Sequence, residues 1–63
     1  MEKYKLYDTE RKEFLRAGDG TDFWKDAFSA EIARLLYTDN DPYKNSEIQI
    51  LQYEDDKFKH IIS

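Results

Sequence analysis

From residue 22 to residue 37 apolar side chains recur at helical spacing, and on either side the pattern changes to the alternation of short strands. At about 100° per residue, Trp24, Phe28, Ile32, Leu35 and Leu36 fall within a stripe about 120° wide, the width of a core-facing side. The spacing predicts a helix over 22–37, about four turns long, with this stripe buried. Thr21 or Asp22 suits the N-cap, Asp22 and Asp26 place negative charge at the positive end of the helix dipole, and Arg34 suits the last turn. Lys25 alone intrudes on the stripe, where its stem can lie over apolar surface while the ammonium reaches water. Asp39, Asn40 and Asp41 favour turns, and Pro42 pushes Asp41 out of the helical region, so the helix stops after Tyr37. With Phe28 in the core, Phe28→Ala would cost roughly 3–5 kcal/mol.

The chain before the helix reads as a hairpin. Residues 3–7 and 12–16 alternate polar with apolar or aromatic side chains around Asp8, Thr9, Glu10 and Arg11. Asp8 suits the first position of a type I turn, because its carboxylate can cap the N–H groups that follow, and Lys12 then falls where glycine is commoner. Ala17, Gly18, Asp19 and Gly20 form the hinge from sheet to helix; neither dinucleotide nor Walker glycine spacing is present. Beyond the loop through Pro42 and Asn45, residues 47–53 form the strongest strand, with Ile48 and Ile50 on one face and Leu51 and Tyr53 on the other. A two-residue loop at Asp55 and Asp56 would oppose Glu54 to Lys57, Tyr53 to Phe58, and Ile50 to Ile61. The last segment is short enough to be a helical turn instead.

These elements predict an α+β fold: a small antiparallel sheet of three or four strands, ββαβ(β), in spatial order 2-1-3-4, packed against one amphipathic helix. The helix returns the chain so that the third strand runs antiparallel to the first. One sheet face is then open, and Tyr4, Tyr7 and Tyr53 are the side chains available for it, since their rings supply area while their hydroxyls tolerate water.

Composition sets limits on this scheme. With 63 residues, 40% of them hydrophobic and 16% aromatic, there is apolar matter for a single small domain, 1–63. So short a chain buries only about 60% of its unfolded surface, which makes a homodimer or another covering partner plausible on size alone. The absence of cysteine removes disulfides and thiolate metal sites and suits a reducing cytosol. No apolar run reaches the length of a membrane span or signal-peptide core, so the expectation is a complete small cytoplasmic protein with no membrane contact. Ten Lys and Arg against fourteen Asp and Glu give a net charge of −4, which argues against nucleic acid as the main ligand. Lys3, Lys5, Lys57 and Lys59 could still form a local positive edge, useful either for protecting edge strands or, with surface tyrosines, for a nucleic-acid-associated module.

Material for catalysis is scarce. His60 is the single histidine, with no nucleophile implied by a motif. A general acid would need a desolvated pocket deeper than one helix on one small sheet can provide. Asp39, Asn40 and Asp41 begin like a calcium loop, but Lys44 and Ile50 stand where such a loop needs glycine and glutamate. The chain is therefore read as non-enzymatic, with no cofactor and no metal.

What exceeds a generic core is the side of the helix opposite the stripe. Phe23, Ala30 and Tyr37 recur there every seven residues with Ala27 and Ala33 beside them, a smooth, weakly apolar face that permits close approach by another element. The same residues also fit a plain solvent face of good helix formers. With the acidic loop residues Asp39 and Asp41, they form the candidate interface for another protein. In size, acidity and lack of cysteine or catalytic signal, the chain resembles accessory proteins of phages and other mobile elements. That resemblance, which involves no specific motif, implies binding to one host protein.

Overall fold

Seven consecutive residue pairs, from Glu2 with Glu54 to Asp8 with Ile48, join β1 (Glu2–Asp8) to β3 (Ile48–Glu54) in antiparallel register. The structure, a computed structural model, describes all 63 residues. β2 (Glu13–Phe14) pairs with the outer edge of β1 and β4 (Lys57–Ile61) with the outer edge of β3, giving the order β2-β1-β3-β4 with every pairing antiparallel. One helix, α1 (Ala27–Thr38), lies on one face. This is the α+β arrangement and strand order that the sequence pattern predicts.

The turns follow the residues that make them. Asp8 Oδ1 accepts from the backbone N–H groups of Glu10 at 2.9 Å and Arg11 at 3.2 Å, and Lys12 takes a left-handed φ of 57°, the strained position expected after this turn. The two residues Asp55 and Asp56 both have positive φ, 50° and 68°, as the tightest hairpin connection requires, and so set Glu54 opposite Lys57 and Tyr53 opposite Phe58. Beyond that point the expected pairing is corrected. Lys59 is an extra residue in β4, so Gln52 pairs with His60 and Leu51 with Ile61, while the backbone of Ile50 bonds to Ile62 and Ser63. The Lys59 ammonium bonds to the Glu54 carboxylate at 2.9 Å, across the hairpin end.

β2 is shorter than the alternation suggests. Its pairing with β1 ends soon after Leu15, whose N–H donates to the Leu6 carbonyl. The chain then swings away through the glycine hinge and returns as an extended segment, in which Tyr4 and Trp24 exchange two backbone hydrogen bonds of 2.8 and 2.7 Å. Trp24 is therefore bridged to the sheet edge ahead of the helix and reaches the core from there. The helix starts four to five residues later than its periodicity implies and is about three turns long. Its cap is Asp26, which accepts from the Ser29 N–H at 2.7 Å, rather than Thr21 or Asp22.

This late start goes with a reversal of the helix. Five buried residues, Leu6, Leu15, Ala30, Ile48 and Ile50, make the core, and Tyr4, Trp24, Ala33, Tyr37 and Tyr43 pack around it. The helix thus presents its alanines to the sheet, and the stripe expected inside points outward: Phe28 is 74% exposed, Ile32 44%, Leu35 54% and Leu36 63%. The physical reason is space. Trp24 and the tyrosines already occupy the flanks of the small inner sheet face, and only a small side chain such as Ala30, fully buried, lets the helix come down on Leu6 and Ile50. Arg34 secures that orientation by donating to the Ile48 carbonyl at 3.3 Å and the Ser63 hydroxyl at 2.9 Å. Tyr4 likewise turns to the inner side, leaving Tyr7 and Tyr53 on the open face.

This packing fixes which helix substitutions matter. Phe28→Ala is expected to change stability by no more than about 0.5 kcal/mol, whereas Ala30→Leu should cost about 1–3 kcal/mol by overpacking. Urea unfolding of the two variants is the measurement, and a large loss at Phe28 would place the stripe back in the core.

Candidate interaction surface

The outward stripe is built by α1 alone. Phe28, Ile32 and Leu35 follow one another at spacings of four and three residues, so they lie along one line of the helix, with Leu36 beside them. Beyond the stripe at one end is Lys25, just before the cap, and at the other Asp39, whose N–H closes the last turn onto the Leu35 carbonyl. Thr38 and Asn40 bond the terminal carbonyls through their side chains, which holds the end of the stripe rigid. Fully burying a side chain of this kind is worth about 1.5–3 kcal/mol. Four of them side by side leave much of that unrealised in the isolated chain.

The residues singled out from the sequence are placed differently. Ala30 is fully buried, Ala33 and Tyr37 pack against the core, and Ala27 is half-buried. They hold the helix to the sheet and are not a free face, which corrects that part of the candidate interface. Phe23 is half-buried before the helix, with the Lys3 ammonium 4.7 Å from its ring centroid. Asp39 and Asp41 are exposed. Asp41 lines a groove of about 460 Å³ together with Arg16, Trp24, Leu36, Tyr37 and Tyr43, where the Tyr37 hydroxyl donates to the Arg16 carbonyl. The structure therefore brings Ala33, Tyr37 and Asp41 to one groove and leaves Phe23 and Asp39 apart from it. Sequence reasoning missed Phe28, Ile32, Leu35 and Leu36 as surface. The available signal was that the helix carries two apolar faces, of which the alanine face alone suits contact at backbone distance.

A second apolar surface lies on the opposite side of the sheet. Tyr7 and Phe14 pack edge to face at 5.0 Å, Tyr53 and Phe58 at 5.7 Å, and Leu51 and Ile61 complete a shallow depression of about 300 Å³. The Lys5 ammonium bridges the two pairs, 5.5 Å from the Phe14 ring and 4.9 Å from that of Tyr53. This surface is therefore already knitted by its own cross-strand contacts.

The electrostatics follow from ion pairs. Lys3 lies 3.1 Å from Asp56, Lys5 3.8 Å from Asp22, and Lys59 2.9 Å from Glu54, so most of the lysine edge is matched by carboxylate. The same pairing with Glu54 raises the Lys59 pKa, and loss of solvation raises those of Tyr4 and Tyr43. His60 is exposed on β4 and faces Gln52. No group of three or more His, Asp or Glu side chains converges as a metal site would require, and no helix is long and apolar enough to cross a membrane.

One buried carboxyl group stands out. Asp8 is fully buried on the inner side of β1; its Oδ1 caps the turn, and its Oδ2 has no hydrogen-bond partner, with Arg11 Nε 3.8 Å away. Arg11 also lies 5.2 Å from the Tyr43 ring, so the pair ties the β1–β2 turn to the loop after the helix. His60 is four residues away along β3, about 13 Å, too far to form a proton-transfer pair with it. No family model, curated protein or solved structure matches this chain.

The cap defines Asp8 as a structural group. Asp8→Ala should cost about 1–2 kcal/mol, while Asp8→Asn, which keeps the Oδ1 acceptor, should lose clearly less. Thermal melts of both variants at neutral pH test this, and equal losses would show that the charge, rather than the cap, is what counts.

Proposed function

We propose that this chain is a small non-enzymatic interaction protein that regulates another protein by binding it through the outer stripe of α1. The observation that carries the reading is the stripe itself: Phe28, Ile32, Leu35 and Leu36 form a contiguous apolar line while the core uses the alanine side of the same helix. Scattered single hydrophobic residues are normal on a protein surface, but a connected line on a rigid element, bounded by charge, is the anatomy of a helix contact face. Asp39 and Asp41 extend the acidic margin assigned to the interface from sequence, now at the end of a different face. A cytoplasmic setting and an accessory role of the kind found in phages and mobile elements belong to the same proposal, on the grounds of size and acidity.

A nucleic-acid-associated module built on the lysine edge and surface tyrosines is the competing class. Matched lysines weaken it, because carboxylates within 4 Å offset the positive potential that phosphates would need. Random duplex DNA at physiological salt should accordingly bind no tighter than about 10⁻⁴ M, and micromolar binding in a titration would favour that class.

The contact face is tested by Ile32→Asp combined with Leu35→Asp. Both side chains are about half exposed, so circular dichroism and the melting temperature should stay near wild type. Protein association, read by sedimentation and by affinity capture from the source cell, should fall at least tenfold. Unchanged association would move the contact face to the sheet.

A further inference from the structure

We infer that the groove between the end of α1 and the glycine hinge receives an arginine side chain of the protein partner. This rests on the reading of the outer stripe as a contact face and names the chemistry of what meets it. The two surfaces are continuous, because Leu36 is 63% exposed as a member of the stripe and also lines the groove. A partner lying along the stripe therefore passes the groove at the end of α1. With about 460 Å³ the groove falls within the size range of ligand sites and has room for one long side chain.

Three features of the groove favour a cation, and each has a different physical origin. The first is aromatic. Trp24, Tyr37 and Tyr43 line the groove, and the two tyrosine rings meet at 87° with centroids 5.1 Å apart, so they form a corner instead of a flat floor. Ring faces attract positive charge. Both hydroxyls are engaged, that of Tyr37 with the Arg16 carbonyl and that of Tyr43 with the Glu13 carboxylate at 3.5 Å, which fixes the corner before anything binds. The second feature is the Asp41 carboxylate, which is exposed, lines the groove and makes no ion pair within the chain. The third is the helix itself. Leu36, Tyr37 and Asn40 put the groove at the C-terminal, negative end of the α1 dipole, and no basic side chain stands in the last turn. The net charge of −4 adds a long-range attraction of the same sign.

Arg16 is the one cation of the chain that lines the groove, and its Nη1 donates to the Gly20 carbonyl at 3.2 Å, which draws its guanidinium to the hinge and leaves Asp41 free. The choice of a guanidinium over an ammonium follows from hydration and shape. Most of the lining is apolar, so an ammonium would exchange its water shell for a single carboxylate. A guanidinium is more weakly hydrated, stacks flat on a ring, and can meet a carboxylate with two parallel N–H groups. The chain already makes this contact with itself: Arg11, which is not part of the lining, lies 5.2 Å from the Tyr43 ring. Aromatic rings and arginine are also the pairing most often found at the energetic centre of protein contacts.

Trp24 is the single tryptophan, so its fluorescence reports the groove directly. The probe is N-acetyl-arginine amide, titrated into the full chain to about 20 mM beside N-acetyl-lysine amide, with amide cross-peaks as a second readout. The arginine probe should shift the Trp24 emission and the cross-peaks of Tyr37 and Tyr43 with a Kd on the order of 1–10 mM, as expected of one side chain without the rest of a partner. The lysine probe should bind about fivefold more weakly. Asp41→Asn should weaken the arginine probe about tenfold at an unchanged melting temperature. Silence of Trp24 and both tyrosines overturns the inference, as does equal binding of the lysine probe or undiminished binding by Asp41→Asn. Ile32→Asp combined with Leu35→Asp should leave probe binding intact while it removes protein association, so the groove and the stripe fail separately. In capture by wild type, about 20 mM arginine probe should at least halve the protein retained through the stripe. Undiminished capture under a probe that occupies the groove would assign the site to a free guanidinium compound and overturn the partner's arginine.

Discussion

The ladder between β1 and β3 is the constraint on which everything else in this protein depends. Its seven pairs connect the beginning of the chain to a segment more than forty residues later, and they place Leu6 opposite Ile50 at the centre of the inner face. β2, the Trp24 bridge and β4 can form only as additions to its two edges. The turn capped by Asp8 and the hairpin at Asp55 and Asp56 lie at its opposite ends, so local turn chemistry and the long-range pairing enforce the same register.

A two-strand centre offers a narrow surface to the helix, and this narrowness decides which side of the helix is used. Trp24, Tyr37 and Tyr43 cover the margins of the core, where their large rings meet limited space. Between them the helix must approach closely, and alanine permits this while phenylalanine or leucine would hold it away. The cost is an uncovered line of large apolar side chains. In a domain of this size that line is a substantial fraction of the hydrophobic matter available, which is why its exposure bears on function more than any single polar residue does.

Charge plays a local part. Lys3, Lys5 and Lys59 are matched by the carboxylates of Asp56, Asp22 and Glu54, and Arg34 holds Glu31 while binding the start of β3 and Ser63. Such exposed pairs contribute little each to stability.

Much of the architecture was legible along the chain. Alternation and turn chemistry around Asp8, Asp55 and Asp56 determined two hairpins, and the apolar periodicity determined one helix between them, from which the strand order 2-1-3-4 followed. Those signals are local, because backbone conformation at a turn and side-chain period along an element are set by neighbouring residues. What the tertiary structure alone decided was the fate of residues 22–25, the extra residue at Lys59 and the rotation of the helix about its axis. Trp24 falls on the stripe by periodicity but enters the core from an extended strand edge, because its backbone finds partners on Tyr4. The choice between the alanine face and the Phe28 to Leu36 face depends on how closely two elements pack and how much space the surrounding rings leave. Neither quantity is written in the order of residues, so the alanine face inferred as an interface went to the core, and the expected core stripe, Trp24 apart, became the surface.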